Sequence, residues 1–390
     1  YNVVKDSTKW KSESEKYGDR FISNTGVWGV THQLNIGKNQ LLKTAVSYAM
    51  TLNAYNRNYV QEDYQMLKVY DQKNTNKKIT LSSTFNQRFN KRAMLRSGII
   101  ATNYLIDFQE KIRKNINSDL TSLVNAQYQT QTLQAFTQLQ YKFTDNITLQ
   151  GGLHYLQLLL NNTKSLEPRA SIKWQFHTKH SLALGYGKHS QLQGWGVYFT
   201  TLQNVNGESV LPNKHLQLSN AAHYVMSHHF QINKSLRLKT EVYYQRLSRI
   251  PVSISDTNTF SSINTQSDYV REELINKGKG KNYGIEISLE KQLSRHLYYL
   301  LSTSIYQSTY TASNGKKYNS RYNGNQILNL TAGKEFVSKN NRRTFGLHLK
   351  SVYAGGYRTT PINLYQSSIE ESTVYYQHLA YTQQLPAYFR

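Results

Sequence analysis

The sequence lacks cysteine altogether and contains only five prolines among its 390 residues. Without cysteine the chain can form no disulfide framework, no Cys-ligated metal site and no Cys nucleophile. It also lacks any run of 18 apolar residues, which excludes a transmembrane helix. No stretch rich in Pro, Gly or Ser divides the chain, although a soluble protein of this length would ordinarily form two or three domains.

Acidic residues are scarce as well, because 23 Asp and Glu stand against 47 Lys and Arg and give a formal net charge of +24. Hydrophobic residues make up only 38%, yet 12% of the chain is aromatic, including 31 Tyr. That aromatic content argues against a disordered chain. A large β-barrel in a membrane reconciles these values, since its strands alternate lipid-facing apolar residues with lumen-facing polar ones and look hydrophilic on average.

A two-residue period runs through the sequence and is clearest at 236–246. There Leu238 and Val242 share one parity, whereas Lys239 and Glu241 share the other. The apolar parity holds no charge, and a Lys or Arg facing lipid at mid-depth would cost roughly 2–4 kcal/mol. A period of two indicates strands. The same pattern recurs at 41–50, 166–176 and 283–290.

This periodicity predicts an all-β, antiparallel transmembrane β-barrel with fourteen strands of about ten residues, the length that a tilted membrane strand needs. A fifteenth strand begins near Pro386. The predicted spans are 28–36, 41–52, 79–88, 94–106, 131–143, 147–158, 166–176, 181–190, 220–230, 236–247, 283–291, 297–311, 325–336 and 344–353.

The connections between these strands alternate between short and long, as in outer-membrane barrels with short periplasmic turns and long extracellular loops. Aromatic residues precede several of the short turns, which is typical of an interfacial girdle. The predicted long connections are 53–78, 107–130, 191–219, 248–282, 312–324 and 354–385, and the girdle candidates are Tyr141, Phe143, Trp174, Phe176, Phe230 and Phe336.

Several short motifs carry a family resemblance that covers nearly the whole chain. The matching stretches are Trp28–Asn35, Leu166–Arg169, Leu182–Gly187 with His189–Gln191, Val242–Gln245, Lys277–Gly280, Tyr283–Glu286, Tyr353–Gly356 and Leu385–Arg390. They resemble the TonB-dependent outer-membrane receptors of Bacteroidetes, specifically the C-terminal part of their barrel. Such barrels have twenty-two strands around a plugged lumen. The resemblance implies that residues 1–390 form an incomplete barrel domain, with about five strands missing at the start and two at the end.

The resemblance implies a transporter component in the outer membrane of a Gram-negative bacterium. It implies energy-coupled uptake of a scarce nutrient, with the TonB complex as a partner through a plug domain that is absent from this chain. The motifs are silent about substrate, so a siderophore, a peptide, a glycan, cobalamin or a metal complex all remain open. A passive porin-like barrel and a soluble basic β-rich adhesin or glycan-binding module are the alternatives.

Catalytic and metal-binding patterns are not evident, and we expect neither an enzyme nor a bound cofactor. There is no G-x-S-x-G elbow and no Walker A loop. The segment Lys277–Lys281 is interpreted as a charged loop that returns to a strand. His228 and His229 point to opposite faces of one strand, so they cannot converge on a metal.

The basic residues are spread over turns, lumen positions and loops, which argues against a nucleic-acid partner. Two interpretations remain: solvated turns with lumen lining, or attraction to an anionic ligand or to lipopolysaccharide. Outer-membrane lipid and lipopolysaccharide are therefore expected partners.

Aromatic residues and one Arg in two long loops are the best ligand-binding candidates. The alternative for each of them is loop self-packing or girdle anchoring. The candidates are Trp195, Tyr198 and Phe199 in one loop and Tyr357, Arg358 and Tyr365 in the other.

Overall fold

A computed structural model describes residues 10, 13–61, 63–113, 115–265, 270–370 and 373–390. Nearly all of them belong to one antiparallel sheet or to the connections between its strands. The strands are β1 Tyr17–Asn35, β2 Gln40–Val60, β3 Met66–Arg88, β4 Ala93–Arg113, β5 Leu120–Lys142, β6 Ile147–Leu158, β7 Thr163–His177, β8 His180–Gln191, β9 Ser219–Asn233, β10 Leu236–Ser253, β11 Leu274–Ser294, β12 Leu297–Thr311, β13 Gln326–Val337, β14 Thr344–Ala354 and β15 Tyr388–Phe389.

Each strand pairs with the next one along the chain, and β1 and β15 form the two edges of the sheet. A sixteenth, short strand at Lys317–Asn319 pairs with β12. Two helices, α1 Trp195–Tyr198 and α2 Leu364–Ile369, lie in loops. Short 3₁₀ turns occupy Glu13–Lys16, Pro212–His215, Ser262–Asn264 and Gln377–Leu379.

None of the helices in the part of the chain that the structure describes is long and apolar enough to cross a membrane.

The two faces of the sheet differ as the alternation predicts. Val242 on β10 lies opposite Ile285 on β11, and both side chains are exposed on what we call the outer face. On the opposite, inner face the guanidinium of Arg237 donates to Glu290 at 2.9 Å. The apolar parity is therefore turned outward along the wall, as in a membrane barrel, rather than buried in a soluble core.

The predicted number of strands is confirmed. Fourteen long strands follow one another in the predicted order, and β15 starts at Tyr388, two residues after Pro386. Its Phe389 pairs with Tyr353 of β14. All seven short connections are also present, at 36–39, 89–92, 143–146, 178–179, 234–235, 295–296 and 338–343.

The predicted loops at 53–78 and 107–130 are wrong for most of their length. Strands β2 and β3 continue through them to a connection at 61–65, and β4 and β5 continue to one at 114–119. The reason is that the hydrogen-bonded ladder extends beyond the apolar outer band. In the extensions of β4 and β5 the outer parity is polar, as at Asp107 and Gln109, and the apolar residues Phe108, Val124 and Ala126 pack together on the inner parity. Alternation reports contact with lipid, so it ends before the strand does.

Lys277–Lys281 is also strand, within β11, and the prediction of a charged loop there is wrong. The register between β10 and β11 shifts at Ile250, where the two strands approach closely. A Cβ on Gly278 would lie 2.6 Å from the Ile250 carbonyl oxygen. Glycine therefore serves strand packing at this bulge.

Candidate ligand-binding site at the long-loop end

Two loops fold together over the inner face of the sheet, and we call their described residues 192–218, 254–265 and 270–273 the cap. Helix α1 directs Tyr198 and Phe199 inward, where both are buried. Phe199 stacks on Tyr128 of β5 with the ring centroids 3.7 Å apart. Trp195 packs on Tyr104 of β4 at 4.9 Å. The cap therefore has its own apolar core, built against the wall of β4 and β5.

Buried polar side chains join the two loops of the cap to each other. The Thr200 hydroxyl donates to the carbonyl oxygen of Val270 at 2.6 Å. The fully buried Asn213 donates to the Glu272 carbonyl oxygen and accepts from the Leu274 amide, both at 2.8 Å. Such bonds replace the backbone pairing that loops lack, so burying these segments leaves few polar groups unsatisfied.

An ion pair joins the cap to strand β4. The guanidinium of Arg271 lies 2.7 Å from Glu110 Oε1, and the Tyr70 hydroxyl donates to the same oxygen at 2.7 Å. Glu110 is buried on β4, whereas Arg271 precedes β11. Burial also raises the pKa of the Tyr198 phenol to about 12, so this core residue stays neutral.

The loop at 355–387 carries the other three predicted residues. Tyr357 is exposed and meets Tyr322 edge-on at 5.5 Å. Tyr365 on α2 is 76% exposed. Arg358 donates to the Asn323 carbonyl oxygen at 3.0 Å and to Asn325 Oδ1 at 2.9 Å, so its guanidinium holds two loops together.

The structure thus divides the six predicted residues. Trp195, Tyr198 and Phe199 belong to the cap core, which corresponds to the loop self-packing that the sequence left open. Tyr357 and Tyr365 are accessible, and Arg358 is held in place by its neighbours. A ligand contact for any of the six stays a prediction.

A cavity of about 790 Å³ lies beneath the cap, and we call it the mouth chamber. Amide, hydroxyl, imidazole and aliphatic side chains line it, and none of the described lining residues is Asp, Glu, Lys or Arg. Two of its amide side chains are held by serine hydroxyls, since Gln193 donates to the Ser219 hydroxyl at 2.8 Å and Asn220 Oδ1 accepts from the Ser190 hydroxyl at 2.8 Å. The chamber therefore presents preset hydrogen-bonding groups without charge.

Sequence reasoning missed this chamber. Most of its polar strand residues are on the inner parity of β8 to β11, near the long-loop end, and these include Gln191, Ser219, Gln245 and Asn282. Polar inner residues at that end of consecutive strands were the available signal. The folding of the cap over them could not be read from the period.

The motif Leu166–Arg169 is explained by a buried carboxylate on the inner face. Glu167 accepts from Arg169 at 3.0 Å and lies 2.9 Å from His154 Nδ1. Its neighbours Leu166 and Pro168 lie on the outer face, opposite Tyr155 and Leu153 of β6. Among the described residues no group of three or more His, Cys, Asp or Glu side chains is placed to hold a metal ion.

The family model for the "TonB dependent receptor-like, beta-barrel" matches residues 2–390. The chain belongs to this family. Its members are receptors and transporters in the outer membrane of Gram-negative bacteria, and the antiparallel sheet with its apolar outer face is the wall of such a barrel.

Solved structures support the same fold. The pyoverdine receptor FpvA from Pseudomonas aeruginosa PAO1 matches with a TM-score of 0.68 and 11% identity, over 96% of this chain and 55% of that one. The ferric-catecholate import receptor Fiu from K12 E. coli matches with a TM-score of 0.64 and 12% identity, over 88% and 55%. The RagAB peptide importer matches with a TM-score of 0.58 and 10% identity, over 87% and 48%.

At these identities the structural likeness shows the fold alone. The chain spans about half the length of these receptors. No curated protein matches the sequence.

Proposed function

We propose that this chain forms most of the barrel wall of an energy-coupled importer that carries a scarce nutrient across the outer membrane. The short turns would face the periplasm and the cap would face the outside. The family match over residues 2–390 carries this proposal. Coupling to the TonB complex through a plug domain follows from family resemblance, and the likeness to RagAB supports the Bacteroidetes type.

The mouth chamber favours a nutrient that is recognised by hydrogen bonds and apolar contact. A chamber without Asp, Glu, Lys or Arg gains little from a charged ligand, whereas its fixed amides suit peptide groups, glycan hydroxyls or the neutral part of a siderophore. The exposed rings of Tyr357 and Tyr365 are suited to a first contact at the surface. A passive pore is the second candidate, and the packed cap core over the chamber argues against it.

The test is growth of a strain from which the full-length gene is deleted, on each candidate nutrient as the limiting source. Two neighbouring alanines of β9 give a matched pair, since Ala221 lines the chamber and Ala222 is on the outer parity. Ala221→Phe should abolish uptake, whereas Ala222→Phe should preserve it, at equal amounts of folded protein in the membrane. Uptake should also stop when the inner-membrane proton gradient is dissipated. Continued uptake without the gradient would identify a passive pore, and equal uptake by both variants would remove the chamber from the pathway.

The proposed orientation has its own test, because the chain contains no cysteine. Asn206→Cys in the cap should react with a membrane-impermeant maleimide on whole cells. Thr178→Cys in a short turn should react only after the outer membrane is permeabilised. The reverse pattern would overturn the orientation.

A further inference from the structure

The seven short turns carry a strong excess of positive charge. Their 24 residues include nine Lys or Arg and one Asp, a net charge of +8. The seven connections at the other end, at 61–65, 114–119, 159–162, 192–218, 254–273, 312–325 and 355–387, hold seven Lys or Arg and ten Asp or Glu, a net charge of −3. The net charge of the two sets of connections therefore differs in sign, although the short turns have far fewer residues.

The nine basic side chains are exposed, and within the described residues none of them is paired with a carboxylate. They are Lys38, Lys91, Arg92, Lys179, Lys234, Arg295, Lys339, Arg342 and Arg343, which we call the basic rim. The turns keep their shape through other groups, as where Asn90 Oδ1 accepts from the Arg92 amide at 2.7 Å and from the Ala93 amide at 2.9 Å. Apart from Lys179 Nζ, which donates to the Ile232 carbonyl oxygen at 3.5 Å, the cationic head groups make no hydrogen bond or ion pair within the described residues.

The basic rim adjoins a band of exposed aromatic residues on the outer face. Phe143, Trp174 and Phe176 lie within four residues of a short turn, and Phe336 packs near Phe345 at 6.1 Å across the turn at 338–343. Aromatic residues in this arrangement mark the boundary between hydrocarbon and head groups. The basic rim therefore lies at head-group depth.

The spacing of the rim suits a row of lipids. Successive short turns are two strands apart, and strands lie about 4.8 Å apart, so short turns recur roughly every 10 Å along the wall, and six of the seven, all except 143–146, carry Lys or Arg. A soluble anionic partner would favour one concentrated patch. Cations distributed along the membrane boundary instead match a leaflet whose lipids carry phosphodiester groups.

We propose that the basic rim binds the phosphate groups of anionic phospholipids in the periplasmic leaflet and so fixes the depth of the barrel in the membrane. The proposal rests on the orientation given under the proposed function. It assigns the lipid-binding charge to the short-turn end.

The experiment counts the lipids retained by the full-length receptor that contains this chain. The purified receptor is titrated with phosphatidylglycerol or phosphatidylethanolamine in neutral detergent and examined by native mass spectrometry. Two adjacent cationic pairs, one at each end, give matched variants: Arg342→Gln with Arg343→Gln, and Lys316→Gln with Lys317→Gln. One basic residue near an anionic surface changes affinity about fivefold at low salt. The rim pair should therefore weaken phosphatidylglycerol binding at its own turn at least tenfold and lower the number of lipids retained, and the loop pair should leave that number unchanged.

A salt titration, a competition with inorganic phosphate and a second rim variant test the same proposal. Retention should fall as salt is raised, because exposed charges are screened, and inorganic phosphate at the lipid concentration should not displace the lipid. Lys91→Gln with Arg92→Gln repeats the test at another turn, should the first rim variant fail to fold. Equal losses in the rim and loop variants, no preference for phosphatidylglycerol, or displacement by free phosphate would each overturn the proposal. The readout needs no import, so a failure of the proposed transport would leave it intact, and the maleimide labelling reports separately on orientation.

Discussion

The connections at the two ends of the strands are built and stabilised in different ways. At the short-turn end the chain reverses within two to six residues and exposes its charges. At the long-loop end it builds a cap with a buried core around Tyr198 and Phe199, and a second core around Tyr310. The first end is shaped by the membrane boundary, whereas the second is stabilised like a small soluble protein, by apolar burial and satisfied amides.

At the long-loop end, the strands in the first part of the sheet extend further than those in the last part. Strands β2 to β5 have 21 to 23 residues and short connections at this end. Strands β13 and β14 have only 12 and 11 residues, and a long connection precedes β13 at 312–325 and follows β14 at 355–387. The upper parts of β4 and β5 supply Ile106 and Tyr128 to the cap core. The extended strands β4 and β5 therefore provide the wall against which the cap packs.

The largest effect that separates the two ends is expected from Phe199→Ala. Removing this buried ring should lower the stability of the cap by about 3–5 kcal/mol, because the stacking on Tyr128 is lost and a cavity remains. Protease cleavage within 192–218 on folded receptor should rise strongly. Phe143→Ala removes an exposed ring at the short-turn end and should leave that cleavage unchanged. Similar cleavage of both variants would mean that the cap is not held by its core.

A slightly smaller effect is expected in the wall that joins the two ends. Leu238→Arg places a charge on the outer face and should cost roughly 2–4 kcal/mol in assembly. Lys239→Leu changes the inner face and should cost much less. Heat-modifiable migration in detergent measures the folded fraction. Equal losses for the two variants would contradict the assignment of the faces.

The wall could be predicted from sequence and the cap could not, for a physical reason. Lipid imposes the same demand on every strand, so Leu238, Val242 and their counterparts repeat with a period of two. The cap depends on contacts between residues distant in sequence, such as Phe199 with Tyr128 or Arg271 with Glu110. No local pattern encodes such contacts, and the sequence therefore marked Tyr198 and Phe199 as aromatic without revealing that they are buried.

The smallest expected effect concerns two asparagines whose side chains hydrogen-bond to the backbone at opposite ends of the strands. Asn90 accepts from two backbone amides in an exposed short turn. Asn213 makes two hydrogen bonds while fully buried in the cap. Water can replace the lost partner at Asn90, so Asn90→Ala should lower the free energy of unfolding by at most about 1 kcal/mol. Asn213→Ala leaves the Leu274 amide and the Glu272 carbonyl buried without this partner and should cost about 1–3 kcal/mol.

Hydrogen exchange of backbone amides distinguishes these two variants. Asn213→Ala should speed exchange throughout 192–218 and 254–273, because the two loops of the cap lose a shared bond. Asn90→Ala should affect only the turn at 89–92. If the exposed turn responded as widely as the cap, the short-turn end would also depend on cooperative packing, and the contrast between the two ends would no longer hold.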